Sequence, residues 1–448
     1  MLKSSVEQRM ISWARLSAHI RSPLYGNGYA LLLSGLASAG LGMVYWLLAA
    51  RFYPAEFVGL NSAAISAMLL LSGLAQLSLN SALVRFLPRA GRAAGALVGY
   101  AYLSSGLAGA LIGLIFIAQL ERWAPALQAF FVPPGMLFIF VLSILVWSVF
   151  ALQDSVLTGL SQTIWVPLEN LLVAFAKIVL LLIFARSFQQ YGLFAAWMLP
   201  VVAAILPVNL FLVRRVLPNH SQLSEAEGEQ LGLRQIVPYL ANNYLGTIFF
   251  LAYSTLLPLL VTSMAGARAN AYFYMPWMIA TALQLVALNL TTSLMVEATR
   301  DRKRLGVYCY QVFLHSIRLL VPLVILILVA APLVLRIYGL DYAQEGAGLL
   351  RLLALSTLPN IIVALYLALI RVQNQVRGVT LVQGALSILL LGMSYLLLPI
   401  YGISGVGLAA LASQSCVAVA LLFTELPAYL QRGRTIYLQE RAALRRHR

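Results

Sequence analysis

The sequence predicts an all-α polytopic membrane protein, with about twelve transmembrane helices in two six-helix lobes. Three observations carry this expectation. Of the 448 residues, 61% are hydrophobic and only 10% charged, with a mean hydropathy of +0.88; a soluble domain carries about 25% charged residues. Apolar runs long enough to cross a hydrocarbon core ~30 Å thick recur along the whole chain. The second half also echoes the first. TGLSQTIWVPLENLLVAFAKIVLLLIFARSFQQYG (158–192) parallels IRVQNQVRGVTLVQGALSILLLGMSYLLLPIYG (370–402), which sets two Tyr-Gly pairs 210 positions apart. Six spans per repeat is an even number, so both halves insert the same way up. A pseudo-twofold axis along the membrane normal is the expected relation between them.

Residues 1–27 read as a basic cytoplasmic leader. Val6, Met10, Trp13, Leu16 and Ile20 share one helical face while Lys3, Arg9, Arg15 and Arg21 leave elsewhere, the pattern of an interfacial helix, with a solvated tail as the alternative. The N-lobe, 28–212, holds runs at 28–50, 59–82, 94–118, 134–157, 166–185 and 192–212. A polar stretch at 213–235 follows, whose Pro218, Asn219, Gly228 and Glu225, Glu227 and Glu229 suit a mobile cytoplasmic linker. The C-lobe, 236–424, holds runs at 236–261, 271–296, 307–331, 347–370, 380–398 and 402–424, and a basic tail occupies 425–448. Pro200, Pro207, Pro258, Pro276, Pro322 and Pro359 fall inside runs, so kinked helices are expected.

The net charge of +16 would point to nucleic acid in a soluble protein. Here the positive-inside rule accounts for it, because most of the 30 lysines and arginines lie in alternate loops. Arg85, Arg89 and Arg92, then Arg214, Arg215 and Arg234, then Arg300, Arg302, Lys303 and Arg304, and finally the tail arginines all fall on one side. Both termini are therefore expected inside, and nucleic acid is not an expected partner. Cys309 and Cys416 sit in or beside apolar runs with no redox or metal spacing. No Gly-rich phosphate loop ending in Lys-Ser/Thr is present, and no cofactor is expected. The outer loops are short, with only Glu56, Glu121, Asp341 and Glu345 as acids, which argues against a membrane glycosyltransferase or ligase.

Two cations lie near the middle of spans: Lys177 in the fifth run and Arg318 in the ninth. A cation at the bilayer centre costs about 2.5–3.5 kcal/mol on insertion scales, so both should face a protein interior or a wet cavity. Gln311, His315 and Arg318 follow at i, i+4, i+7, so His315 can extend an anion site or simply pack. Asp154 and Glu169 lie near the cytoplasmic ends of their runs and are the candidate charge partners if Lys177 is structural. Polar stripes mark the helices expected to line a central cleft: Ser34, Ser38 and Tyr45 in run 1, Gln76 and Asn80 in run 2, Asn243 in run 7 and Gln284 in run 8. Close helix packing is the alternative meaning of such stripes. Runs 3, 6 and 11 are nearly all apolar or small and are expected to face lipid or to pack. No acid falls at the midplane, where a cation-coupled exporter would carry one.

The run AARFYPAEFVGLNSAAISAMLLLSGLAQLSLNSALVRFLPR (49–89) resembles the N-terminal region of bacterial polysaccharide and O-antigen flippases, and QDSVLTGLSQTIWVPLENLLVAFAK (153–177) resembles their fourth-to-fifth helix region. These Wzx-like proteins share a superfamily with the lipid II flippases and the multidrug and toxin extruders. The resemblance implies an inner-membrane flippase moving a polyprenyl-pyrophosphate-linked oligosaccharide by alternating access, for surface polysaccharide such as lipopolysaccharide. It also implies polysaccharide polymerase or assembly proteins as partners and basic residues in the cavity. Lys177 lies within the matching stretch, and Arg85 and Arg89 match the basic end of the second helix. Small-molecule export within the same superfamily is the alternative. The fourteen-helix relatives have extra helices for a lipid tail, and this chain is expected to stop at twelve.

Overall fold

In a computed structural model, the structure describes residues 40–223, 233–301, 304–373 and 375–446; the side chains at 242–243 and in a few helix-end stretches lie outside the description. The expected leader helix, Ser34 and Ser38, Arg302 and Lys303, and the acidic centre of the linker fall outside these residues. The described chain is helical throughout. Its spans are α1 (Gly40–Phe52), α2 (Ala55–Ala75), α3 (Ala94–Ala118), α4 (Pro134–Gly159), α5 (Trp165–Ser187), α6 (Gly192–Phe211), α7 (Leu233–Ala265), α8 (Ala267–Arg300), α9 (Leu305–Arg336), α10 (Leu340–Val372), α11 (Val376–Tyr401) and α12 (Ile403–Leu421), with a further helix α13 (Leu426–Arg446). Eleven of the twelve are long and apolar enough to cross a membrane, and the described part of α1 is shorter. The chain is a multi-pass membrane protein.

The spans fall into two lobes. In the first, α3 packs on α4, α5 on α6, and α2 on α4; in the second, α10 packs on α8, α9 and α12, and α11 on α7 and α12. The two Tyr-Gly pairs of the sequence repeat occupy matching turns, Tyr191–Gly192 between α5 and α6 and Tyr401–Gly402 between α11 and α12. One end of the bundle carries Arg85, Arg89, Arg92, Arg214, Arg215 and Arg304 and is called the basic end below.

Helix α2 holds the lobes together and is the most enclosed of the described spans. At its start, Asn270 of α8 donates to the Gly59 carbonyl at 2.8 Å and to Ser62 Oγ at 3.0 Å. Helix α8 lies so close there that a β-carbon on Gly59 would sit 1.7 Å from the Ala267 carbonyl oxygen, so only glycine fits. At the end of α2, Tyr244 of α7 donates to the Leu74 carbonyl at 3.0 Å. Trp46 of α1 adds a ring contact on Tyr274 of α8, with centroids 4.6 Å apart.

Two sequence expectations change, and the tail gains a structure. The run 59–82 is not one helix: α2 stops at Ala75, Leu77 and Ser78 take positive φ of 50° and 60°, and a separate short helix runs over Leu79–Phe86. The break re-aims Arg85 toward the second lobe, and Ser78 Oγ meets Thr247 Oγ1 across the junction at 3.1 Å. The linker does not begin at Val213, because helical structure continues through a π-turn at Leu212–Val216 to Leu223. The basic tail is α13, docked on α9 where Gly306 and Gly433 let the backbones cross and tied by an Arg304–Glu440 ion pair.

Gly59→Val is expected to destabilise this arrangement by about 1–3 kcal/mol through overpacking, read as a lowered Tm of the purified protein. Gly99→Val, with nothing within 4 Å of its β-carbon, should leave Tm unchanged.

Candidate functional site

Lys177 lies about 18 Å along α5 from Trp165, near the middle of the span. Its ammonium does not meet lipid. It sits 3.8 Å from the ring centroid of Trp197 on α6 and 5.2 Å from that of Trp147 on α4. Desolvated cation–π contacts are worth about 2 kcal/mol or more, which is comparable with the insertion cost of the charge. The two indoles therefore offset part of the cost of holding the lysine there. Beside it lies a cavity of about 140 Å³, lined also by Tyr45, Phe150 and Asn170. Tyr45 is pinned by donating to the Leu193 carbonyl at 2.7 Å, and its ring meets Trp197 edge-on at 5.4 Å. The cage is thus held by three neighbouring helices of one lobe. It also reaches the lobe junction, because Trp197 meets Trp46 at 6.1 Å and Trp46 meets Tyr274.

Among the described residues no carboxylate lies within 4.0 Å of Lys177. Asp154 and Glu169, the candidate partners, are held by amides instead. Asn170 donates to Asp154 Oδ2 at 3.2 Å, Gln153 donates to Glu169, and Asn209 donates to Gln153 Oε1 at 2.6 Å. Asp154 Oδ1 and Glu169 Oε2 have no hydrogen-bond partner, and Glu169 is only 6% exposed. These acids lie within the last turns of α4 and the first of α5, toward the basic end, as expected by depth. That two separate sets of amide contacts hold them, with Glu169 buried and Asp154 half-buried, was not expected. Sequence order hides it, because these contacts join residues from α4, α5 and α6.

The remaining candidates are dispersed. Arg318 and His315 lie on an exposed flank of α9, with His315 Nδ1 2.7 Å from the Gln311 carbonyl, and neither lines the Lys177 cavity. Paired cations, one from each lobe, were expected in one site; Arg318 is exposed on α9 and is not among the residues lining the Lys177 cavity, so the two are not brought together there. Arg85 is at the basic end, stacked over Tyr239 of α7 at 4.7 Å and over Phe86 at 5.6 Å, beside a cavity of about 420 Å³. Asn80 lines that cavity and donates to Gln76 Oε1 at 2.7 Å, so both serve the break after α2. Gln284 lies in the second lobe and accepts from the Tyr253 hydroxyl at 2.9 Å, in a cavity of about 290 Å³. The side chain of Asn243 is outside the described residues. Helices α6 and α11, expected as lipid-facing or packing helices, each supply a cavity wall through Trp197 and Gln383.

The cage tryptophans were missed, although a signal exists. Trp147 lies mid-run, away from the interfacial depth where membrane tryptophans gather, whereas Trp197, five residues into α6, carries no such mark.

Two six-helix lobes thus meet through α2, and the first encloses Lys177 in its aromatic cage. No protein-family model matches the chain, and no curated protein matches it. Among solved structures it is similar to an inward-facing multidrug resistance transporter of the MATE family in the MOP superfamily, with a TM-score of 0.68 at 15% identity over 89% of this chain and 93% of that one. It is also similar to the lipid II flippase MurJ in an inward closed conformation, with a TM-score of 0.61 at 13% identity over 91% and 93%. The Vibrio cholerae MATE transporter VcmN, as a mutant, gives 0.56 at 17% identity over 92% and 97%. The chain therefore has the fold shared by the MATE transporters and this flippase.

Gln153→Leu should cost about 1–3 kcal/mol, because it strips the buried Glu169 and Asn209 of their shared partner. The expected readout is a lowered Tm, with most of the loss recovered in Gln153→Leu/Glu169→Leu.

Proposed function

We propose that this protein is an inner-membrane flippase that moves a polyprenyl-pyrophosphate-linked oligosaccharide by alternating access, with its basic end and both termini in the cytoplasm. The observation that carries the proposal is the caged Lys177, which lacks a counter-carboxylate among the described residues. An unpaired intramembrane cation attracts an anion strongly where the dielectric is low. A pyrophosphate crossing the same layer faces a desolvation cost that such a cation offsets. A groove of about 490 Å³ between α5 and α6, apolar apart from Glu169, shares Val173 with the cavity and opens beside exposed Leu168 and Leu172. A polyprenyl tail can stay in the bilayer there while its headgroup reaches Lys177.

A second reading, export of small molecules, draws on the MATE likeness and on the enclosed acids Asp154 and Glu169. Buried acids are the usual equipment for coupling transport to a cation. The lysine distinguishes the two: a cationic drug would be repelled from the cavity that a pyrophosphate would enter.

In a flippase-null strain, Lys177→Arg should retain part of the surface glycan, while Lys177→Ala and Lys177→Glu lose most of it, normalised to inserted protein. Wild-type glycan from well-inserted Lys177→Ala, or cationic-drug efflux that rises in that variant, would favour the small-molecule reading. For orientation, Ser224→Cys in a Cys309→Ser/Cys416→Ser background should resist impermeant maleimide on intact cells and react once the membrane is opened.

A further inference from the structure

The second lobe contains a cavity that the Lys177 account does not use. It lies between α7, α8, α10, α11 and α12 and measures about 290 Å³, the lower edge of small-molecule pockets at ~300–1,000 Å³. Its walls combine two chemistries. Phe249, Tyr253 and Trp277 present aromatic surface, and Tyr253 and Trp277 brace each other with ring centroids 6.2 Å apart. Gln284, Gln383 and Gln414 present amides among them. The Tyr253 hydroxyl donates to Gln284 Oε1 at 2.9 Å and meets the Gln414 side chain. Gln414 Oε1 is left with no partner although the residue is only 2% exposed. A buried acceptor of this kind costs about 1–3 kcal/mol until a donor reaches it. Arg371 stands at the basic-end mouth, one residue from the end of α10, with no carboxylate within 4.0 Å among the described residues.

We infer that this cavity binds one sugar ring of the transported saccharide, a ring bearing an acidic group. A pyranose has an apolar C–H face that packs on the negative face of an aromatic ring, and a rim of hydroxyls that donate to amide oxygens. The waiting Gln414 acceptor and the Trp277 and Phe249 surfaces meet both needs. A carboxylate on the ring would meet the planar guanidinium of Arg371, whose forked donors match it in two hydrogen bonds. The volume suits a single ring better than a whole repeating unit. A hydrophobic drug would use the aromatic walls but leave Gln414 unpaired and gain nothing from Arg371. The inference rests on the flippase reading and gives it a division of labour: the Lys177 cavity takes the phosphate and the second-lobe cavity takes the sugar.

The test uses the full-length protein in nanodiscs, titrated with glucuronate and with glucose and followed by saturation-transfer NMR. Glucuronate should bind saturably and at least tenfold more tightly than glucose. Arg371→Gln should abolish that preference while leaving glucose binding in place. Trp277→Leu and Gln414→Leu should each weaken both sugars at least fivefold, with Tm used to confirm folding. In cells, Arg371→Gln should lower export of an acidic glycan and spare a neutral one. Absence of saturable binding by either sugar, or binding indifferent to both Arg371→Gln and Trp277→Leu, overturns the inference. Export that depends on Lys177 but ignores all three second-lobe variants also overturns it and leaves the flippase reading standing. Export indifferent to Lys177 as well would remove both.

Discussion

A lysine ammonium halfway along a membrane-spanning helix needs something in place of its water. Here Trp197 and Trp147 supply it, at 3.8 and 5.2 Å. Much of the first lobe is arranged around that substitution. Helix α4 brings one indole and α6 the other, and α1 braces the cage through Tyr45, whose hydroxyl is anchored on the α6 backbone. Electrostatics sets the outcome. Aromatic faces offset part of the desolvation of an ammonium placed inside the hydrocarbon layer. A carboxylate in that place would have closed the account as a structural ion pair.

The buried acids show the other way of keeping charge in a membrane. Asp154 and Glu169 are dressed by amides from Asn170 and Gln153, with Asn209 behind. They remain separate from Lys177 because they lie two to three turns nearer the basic end, and that separation leaves no carboxylate within 4.0 Å of the lysine among the described residues. The tryptophan chain then links the cage to the junction, from Trp197 to Trp46 to Tyr274 of the second lobe. Since α2 and α8 meet along the same junction through Gly59 and Asn270, occupancy at Lys177 and the fit between the lobes share physical contacts.

Much of the architecture was legible in the amino-acid sequence because apolar length is a direct record of membrane thickness. The third run, 94–118, coincides with α3, and the Tyr-Gly repeat marks equivalent turns in both lobes. What failed was what length cannot record. The break after Ala75 depends on two positive-φ residues, Leu77 and Ser78, that carry no glycine to announce them. Arg318 does not join Lys177 in its cavity, since which helix faces meet is set by packing partners rather than by depth along the sequence. Arg371 and Gln414 come from spans that look like ordinary packing helices, and only folding brings them to one cavity with Trp277. Lys177 itself was legible because an isolated cation in an apolar run has few tolerable surroundings.

The central claim is that Lys177 is an anion site and not a packing residue. The most direct measurement is binding of a short-chain polyprenyl pyrophosphate to purified protein in nanodiscs, followed by phosphorus NMR and tryptophan fluorescence. Binding should be saturable, shift the fluorescence of the Lys177 cage, weaken at least tenfold in Lys177→Gln, and resist displacement by a lipophilic cation. Equal affinity in wild type and a folded Lys177→Gln protein, or displacement by the cation, would contradict it.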